Sequence, residues 1–251
     1  EPPSNKNDMS RLIRLFSARL NSIKPPGLLL IAANYHHSSL YDPALVNTLV
    51  DQVNLMMYDY CYAWRGFPVR SNVIWYNAPL YSGSECFYAN TKTYETLGPM
   101  QWVAAGHSKA KLAPGIPFFG YVFHNQNELC APFKGGENGY VSYQDAISLL
   151  GVGGTEGWDD VAKVPYISGV ATATYGPGPW WGAWGVQKGQ KFFVSYENPH
   201  SIVEKVKWMK VQDFGGLMVY DLTMDFDATK PLKQRHPHLQ AVLNTLRGDN
   251  A

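Results

Sequence analysis

The segment Val53-Asn54-Leu55-Met56-Met57-Tyr58-Asp59-Tyr60 starts apolar and ends on two phenols flanking a carboxylate. An apolar run of this length belongs to a parallel sheet covered on both faces. Burying an unpaired carboxylate is costly, so Asp59 pairs, caps a loop or waits for a ligand. Trp64 follows a few residues later, and Trp180, Trp181 and Trp184 cluster in "GPWWGAWG". Eight Trp and sixteen Tyr raise the aromatic content to 14%, which suits heavy packing or a surface that stacks on flat ligands such as sugars.

Other chemistry is scarcer. Cys61, Cys86 and Cys130 stand far apart without metal-ligand spacing. Their odd number allows one internal bridge plus a thiol, or pairing with sequence elsewhere. His36-His37 and His236-Pro237-His238 lack Cys or carboxylate company at ligand spacing, so no metal site is expected. Twenty-one basic against twenty acidic residues leave a formal charge of +1. That balance suggests neither a nucleic-acid nor an anionic-membrane partner. No apolar segment is long enough to span a bilayer, and "EPPSNKND" lacks the charged start and apolar run of a signal peptide.

The elements that must position these groups alternate. Asn7 or Asp8 can cap a helix through about Ile23, with Met9, Leu12, Ile13, Phe16, Leu20 and Ile23 as its apolar stripe. "GLLLIAAN" (27–34) reads as a fully buried strand, "DPALVNTLVDQ" (42–52) as a short helix and "VNLMMYDY" as a second strand. After a long loop come a helix around 92–105, a strand "KLAPGIPFFG" (111–120), a helix "SIVEKVKWMKV" (201–211) and a buried strand "GGLMVYDL" (215–222). A last helix starts near Pro237, presents Leu239, Val242, Leu243 and Leu246, and stops at Gly248. This alternation predicts an α/β fold with a parallel sheet. Between 121 and 198 the rhythm breaks: a helix (142–150), a strand-like stretch (164–175) and "KFFVSY" (191–196) read as a small α+β insertion. Four core strands are half of an eight-unit barrel, so the chain reads as the C-terminal half of a larger fold. An unpaired apolar edge should make it depend on an upstream segment.

The segments just quoted resemble those of family-18 glycoside hydrolases, the chitinases. "VNLMMYDY" is similar to their sixth barrel strand, "KLAPGIPFFG" to the seventh and "GGLMVYDLTMD" to the eighth. "YVSYQDAISLL", "EGWDDVAKVPY" and "KFFVSYENPHSI" resemble the α+β module that many of these enzymes carry. The blocks cover nearly the whole chain in order. The resemblance implies a (β/α)8 TIM barrel, here strands five to eight, divided into barrel portions at 1–120 and 199–251 around an insertion at 121–198.

The family's acidic signature Asp-x-x-Asp-x-Asp-x-Glu is absent, but Glu1-Pro2-Pro3 followed by a helix resembles the stretch from its catalytic Glu onward, without the usual aromatic residue. By resemblance Glu1 is the general acid, Tyr58 donates to the substrate's 2-acetamido oxygen, and Asp59 hydrogen-bonds the same sugar. Met56 packs beneath them, Trp64 is a further sugar platform, and Tyr220 replaces the Trp that floors the site. Phe119 and Tyr121 depart from the family's Tyr-Gly-Arg, removing a hydroxyl and a cation. Asp225 matches the family's last-strand Asp, with a structural role open to it. The implied activity is retaining, substrate-assisted hydrolysis of β-1,4-linked N-acetylglucosamine polymers outside the cell. The rivals are a chitinase-like lectin that binds chitooligosaccharide and an endo-β-N-acetylglucosaminidase acting on N-glycans.

Overall fold

The computed structural model describes residues 5–61, 73–82, 98–132, 138–177 and 184–248. The first helix, α1 (Lys6–Asn21), is capped by Asn5, whose side chain accepts the Asp8 N–H at 2.8 Å. The cap thus lies upstream of Asn7 and Asp8. Asp8 instead occupies the first turn, where its charge meets the positive end of the helix dipole. Only part of the expected stripe is covered. Met9 and Ile13 are buried, whereas Leu12 is 39% and Phe16 52% exposed.

Four parallel strands follow in the spatial order β1 (Leu30–Asn34), β2 (Gln52–Met56), β3 (Leu112–Pro117) and β9 (Met218–Tyr220). The connections include α2 (Pro43–Leu49), capped by Asp42, and α3 (Pro99–Ala104). This sheet is less buried than its apolar sequence predicts. β1 is an edge among the described residues, and its Leu30 is 51% exposed. β2 alternates: Val53 and Leu55 are fully covered, while Gln52, Asn54 and Met56 are half-buried. The expected fourth buried strand shrinks to three residues ending on Tyr220, 48% exposed. β3, between β2 and β9, is buried throughout, so the partial exposure lies on β1, β2 and β9.

The stretch 111–120 is two strands. Pro114 and Pro117 have no N–H to give to a ladder, and after Phe118 donates to the Tyr220 carbonyl at 2.8 Å the chain leaves the parallel sheet. β4 (Phe119–His124) then enters an antiparallel sheet with β5 (Asn138–Ser142), β6 (Gly154–Asp159), β7 (Val164–Val170) and β8 (Lys191–Ser195), in the order β5-β4-β8-β7-β6. α4 (Tyr143–Ser148) starts at its Ser142 cap. The strand expected over 164–175 ends at Val170. β4, β5 and β6 escape the sequence pattern because Gly120, Gly139, Gly154 and Gly157 make their segments read as turns.

The chain returns through α5 (Pro199–Val211), held by a reciprocal Asn198–Ser201 capping box. It closes with α6 (Pro237–Arg247), which stops at Gly248 with φ 81°. The buried side of α6 is His238, Ala241 and Val242, and Leu246 points outward. From the middle of α5, fully buried Lys205 reaches back to both oxygens of Glu197 at 2.7 and 2.6 Å, and Ser201 Oγ donates to Glu197 Oε2 at 2.6 Å. Cys130 is disulfide-bonded, and the Cys61 thiol donates to the Val73 carbonyl at 3.4 Å. Among the described residues, no helix is long and apolar enough to cross a membrane.

Candidate active site

Residues 57–60 leave the carboxyl end of β2, the end at which parallel α/β folds build their sites. Asp59 takes the left-handed region at φ 62°, which Asp tolerates better than most residues because its short side chain finds local partners. Two groups hold it. Its N–H donates to Asn77 Oδ1 at 2.8 Å, and its Oδ1 accepts from the Tyr121 hydroxyl at 2.7 Å. Asp59 therefore pairs with a tyrosine and at the same time borders an open space.

Asn77 is a buried hub. Its N–H donates to Ser195 Oγ at 2.7 Å, its Nδ2 to the Phe119 carbonyl at 3.3 Å, and its own carbonyl accepts the Tyr60 N–H at 3.0 Å. Ser195 lies on β8 and Phe119 on β4, so the antiparallel sheet clamps the loop that carries Asp59.

Tyr58 is buried beside it. Burial, then the nearby Asp59, Tyr220 and Asp221, push its phenol well above the ordinary value. Each cause disfavours the phenolate, so Tyr58 is a hydroxyl donor across the physiological range. Tyr220 stacks on Tyr58 with ring centroids 5.8 Å apart at 22°. Phe119 meets Tyr58 edge-on at 5.5 Å, and Tyr140 stacks on Phe119 at 4.5 Å. Burial first, and Asp221 next, raise the Tyr140 phenol as well.

These groups border a cleft of about 680 Å³. Met56, Tyr58, Asp59, Tyr220 and Asp221 line it from the parallel sheet, and Phe119, Tyr121 and Tyr140 from the antiparallel one. No Lys or Arg is among the described lining residues. Neutral donors, two carboxylates and flat ring faces can grip a hydroxyl-rich ligand that also has apolar faces.

Four of the six site residues expected from sequence, Met56, Tyr58, Asp59 and Tyr220, thus meet in one cleft. Glu1 and Trp64 lie outside the described residues, as do Trp180 and Trp181. Trp184 packs near Tyr175, at 5.9 Å, against the core of the antiparallel sheet and does not line the cleft. Asp225 is also elsewhere. Its carboxylate accepts the His238 and Leu239 N–H groups at 2.9 Å each and so caps α6. Burial lifts it to about 6, against the lowering effect of those bonds.

Sequence reasoning missed Asn77, Tyr140, Asp221 and the Tyr121 hydroxyl. Tyr121 and Tyr140 are cross-strand partners, a relation invisible until β5 is recognised. Asn77 is 18 residues from Asp59 with no pattern linking them.

The sequence model of "Glycosyl hydrolases family 18" matches residues 1–225. Endochitinase 1 of Metarhizium robertsii is 27% identical over 199 residues, covering 77% of this chain and 39% of that protein. The chain spans about two fifths of that curated relative, and 26% of Chitinase A1 of Niallia circulans. A Group IV chitinase of Ostrinia furnacalis, solved with allosamidin, superposes with a TM-score of 0.76 at 22% identity, over 98% of this chain and 64% of that one. Human YKL-39, described as a pseudo-chitinase that retains chitooligosaccharide binding, superposes with a TM-score of 0.74 at 21% identity, over 96% and 65%.

Proposed function

The chain belongs to family 18 of the glycosyl hydrolases, and from that premise we propose that the complete protein hydrolyses β-1,4-linked N-acetylglucosamine polymers with retention, using the substrate's own 2-acetamido group as nucleophile. The observation that carries this reading is the meeting of Tyr58, Asp59 and the Tyr220 ring in one cleft. A sugar floored on Tyr220, over Met56, presents its acetamide to both other groups. The Tyr58 hydroxyl donates to the acetamide oxygen. Asp59, an acceptor when ionised, takes the acetamide N–H.

Glu1 protonates the leaving oxygen as the acetamide oxygen attacks the anomeric carbon and the glycosidic bond breaks. The resulting oxazolinium ion is cationic, and the Asp59 carboxylate offsets its charge. Water then attacks the anomeric carbon, giving its proton to the Glu1 carboxylate and reopening the ring. Neither metal nor organic cofactor enters this scheme. Trp64 supplies a further sugar platform. The barrel portions are 1–120 and 199–251, the insertion is 121–198, and the protein acts outside the cell.

The other half of the barrel comes from an upstream segment. In support, the exposed apolar Leu12, Phe16 and Leu30 face a cavity of about 690 Å³ along the β1 edge, and exposed apolar side chains gathered in one place mark an interaction surface. The second reading, a lectin that holds chitooligosaccharide without cutting it, has the likeness to the YKL-39 fold in its favour.

Chitotetraose hydrolysis by the complete protein and its Glu1→Gln variant tests both. Gln keeps the shape of Glu but has no proton to give, so cleavage should vanish while binding persists. Polymers of plain glucose, which lack the internal nucleophile, should not be cut by either form. Equal rates would remove Glu1 from the mechanism. Binding without cleavage by both forms would favour the lectin.

A further inference from the structure

The geometry points to Tyr121 as a positioning residue that holds the Asp59 carboxylate in its working orientation without cancelling its charge, an inference that rests on the hydrolase reading above. Asp59 belongs to neither a helix nor a strand, and its backbone is left-handed. Its orientation therefore depends on the groups that anchor it, and two of them are on the described residues. Asn77 holds the backbone N–H, and Tyr121 holds the side chain through Oδ1 at 2.7 Å.

Tyr121 is fit for this. It is buried on β4, the strand between β5 and β8, paired with Tyr140 on one side and Ser195 on the other. Its neighbour Gly120 permits the close pairing, because a Cβ there would strike the Ser195 carbonyl oxygen. A side chain fixed on a central strand positions its partner better than one on a loop.

The chemistry of the pair determines where the proton sits. A free phenol ionises near pH 10 and a free carboxyl near 4, so the proton stays on Tyr121 and Asp59 is the charged acceptor. Such a charge-assisted bond favours the ionised form of the carboxyl. Among the described residues that line the cleft, the other titratable groups beside Asp59 are Tyr58 just past β2, Tyr140 on β5, and Tyr220 and Asp221 at the end of β9. The three phenols are neutral, and Asp221 carries a like charge that opposes ionisation of Asp59. Tyr121 counters Asp221 in this respect. A guanidinium at the same place would also hold Asp59 but would neutralise it. The phenol itself brings no positive charge to offset the one that Asp59 turns toward the oxazolinium ion, and keeps that charge available at lower pH.

The test is Tyr121→Phe in the complete protein, a change that keeps the ring and removes one hydroxyl. Carbon-13 NMR of carboxyl-labelled Asp, with Asp59→Asn for assignment, reads the titration of Asp59 directly. Losing a hydrogen bond to a charged acceptor should raise its midpoint by about one pH unit. The acid limb of kcat/KM on chitotetraose should move up by the same amount. Rates below that limb should fall about tenfold, while the melting temperature stays near that of the parent. An unmoved Asp59 midpoint, or a rate loss uniform across pH together with a lower melting temperature, would overturn the proposal. If the parent protein cuts no chitotetraose but the midpoint still moves, the hydrolase reading fails and the role of Tyr121 stands.

Discussion

Tyr58 concentrates the residue-scale argument. Its hydroxyl is kept protonated by burial and by neighbouring carboxylates, so it can donate throughout the reaction. In the proposed scheme the contact strengthens as charge develops on the acetamide, and an interaction of that kind acts on kcat more than on KM. Tyr58→Phe should therefore lower kcat by roughly a hundredfold or more, by analogy with loss of a single oxyanion donor. Steady-state kinetics on chitotetraose check this. A raised KM at unchanged kcat would make Tyr58 a plain binding residue.

At the scale of elements, the junction between β8 and α5 depends on a buried charge pair. Lys205 and Glu197 are both inaccessible to solvent, and their contacts at 2.6 to 2.7 Å are supplemented by Ser201. Removing one partner strands the other charge in the interior, at a cost of about 3–5 kcal/mol. Replacing both by apolar residues of similar volume avoids that cost. Lys205→Met should accordingly lower the urea midpoint of the complete protein strongly, and Lys205→Met with Glu197→Leu should recover most of it. Ser195, the last residue of β8, also anchors Asn77. A loosened β8 should thus be felt at Asp59, and the single variant should lose activity under conditions where it is still folded.

For the whole molecule, two buried groups give opposite pH dependences. Burial lowers His238 to about 3, so the folded state keeps it neutral while the unfolded chain protonates it below about 6.5. Its contribution to stability is present above that value and is lost as pH falls toward 3. Asp225 is raised to about 6, so its contribution is present below the ordinary carboxyl range and is lost as pH rises through 6. Between about pH 6 and 4 the two slopes offset one another. His238→Phe keeps an aromatic ring beside Phe118 and Tyr143 and removes the basic group. Relative to the parent, the variant should gain about 3 kcal/mol of unfolding free energy between pH 7 and pH 4. Denaturant melts at the two pH values measure this, and a difference independent of pH would remove His238 from the acid response.

Much of the architecture was legible in the chain because it is written locally. Alternating helix and strand segments, the Asp42 and Gly248 boundaries, and Tyr58-Asp59 at a strand end all depend on neighbours a few residues apart. Met56 and Tyr220 were marked by the resemblance to the family's strands rather than by any local pattern. What only the tertiary structure decided depends on distant partners. The exposure of Leu12, Phe16 and Leu30 follows from a sheet whose edge the described residues leave uncovered. The split at Pro117, with Phe119 onward paired antiparallel, depends on β5, which its glycine disguises as a turn, and on the distant β8. The state of Asp59 was also decided there. Its sequence neighbours establish only that a carboxylate sits at the mouth of a strand. Its hydrogen-bond partners, Asn77 and Tyr121, lie 18 and 62 residues along the chain. Hydrogen bonds act over about 3 Å in space, and only the folded chain brings those atoms within reach.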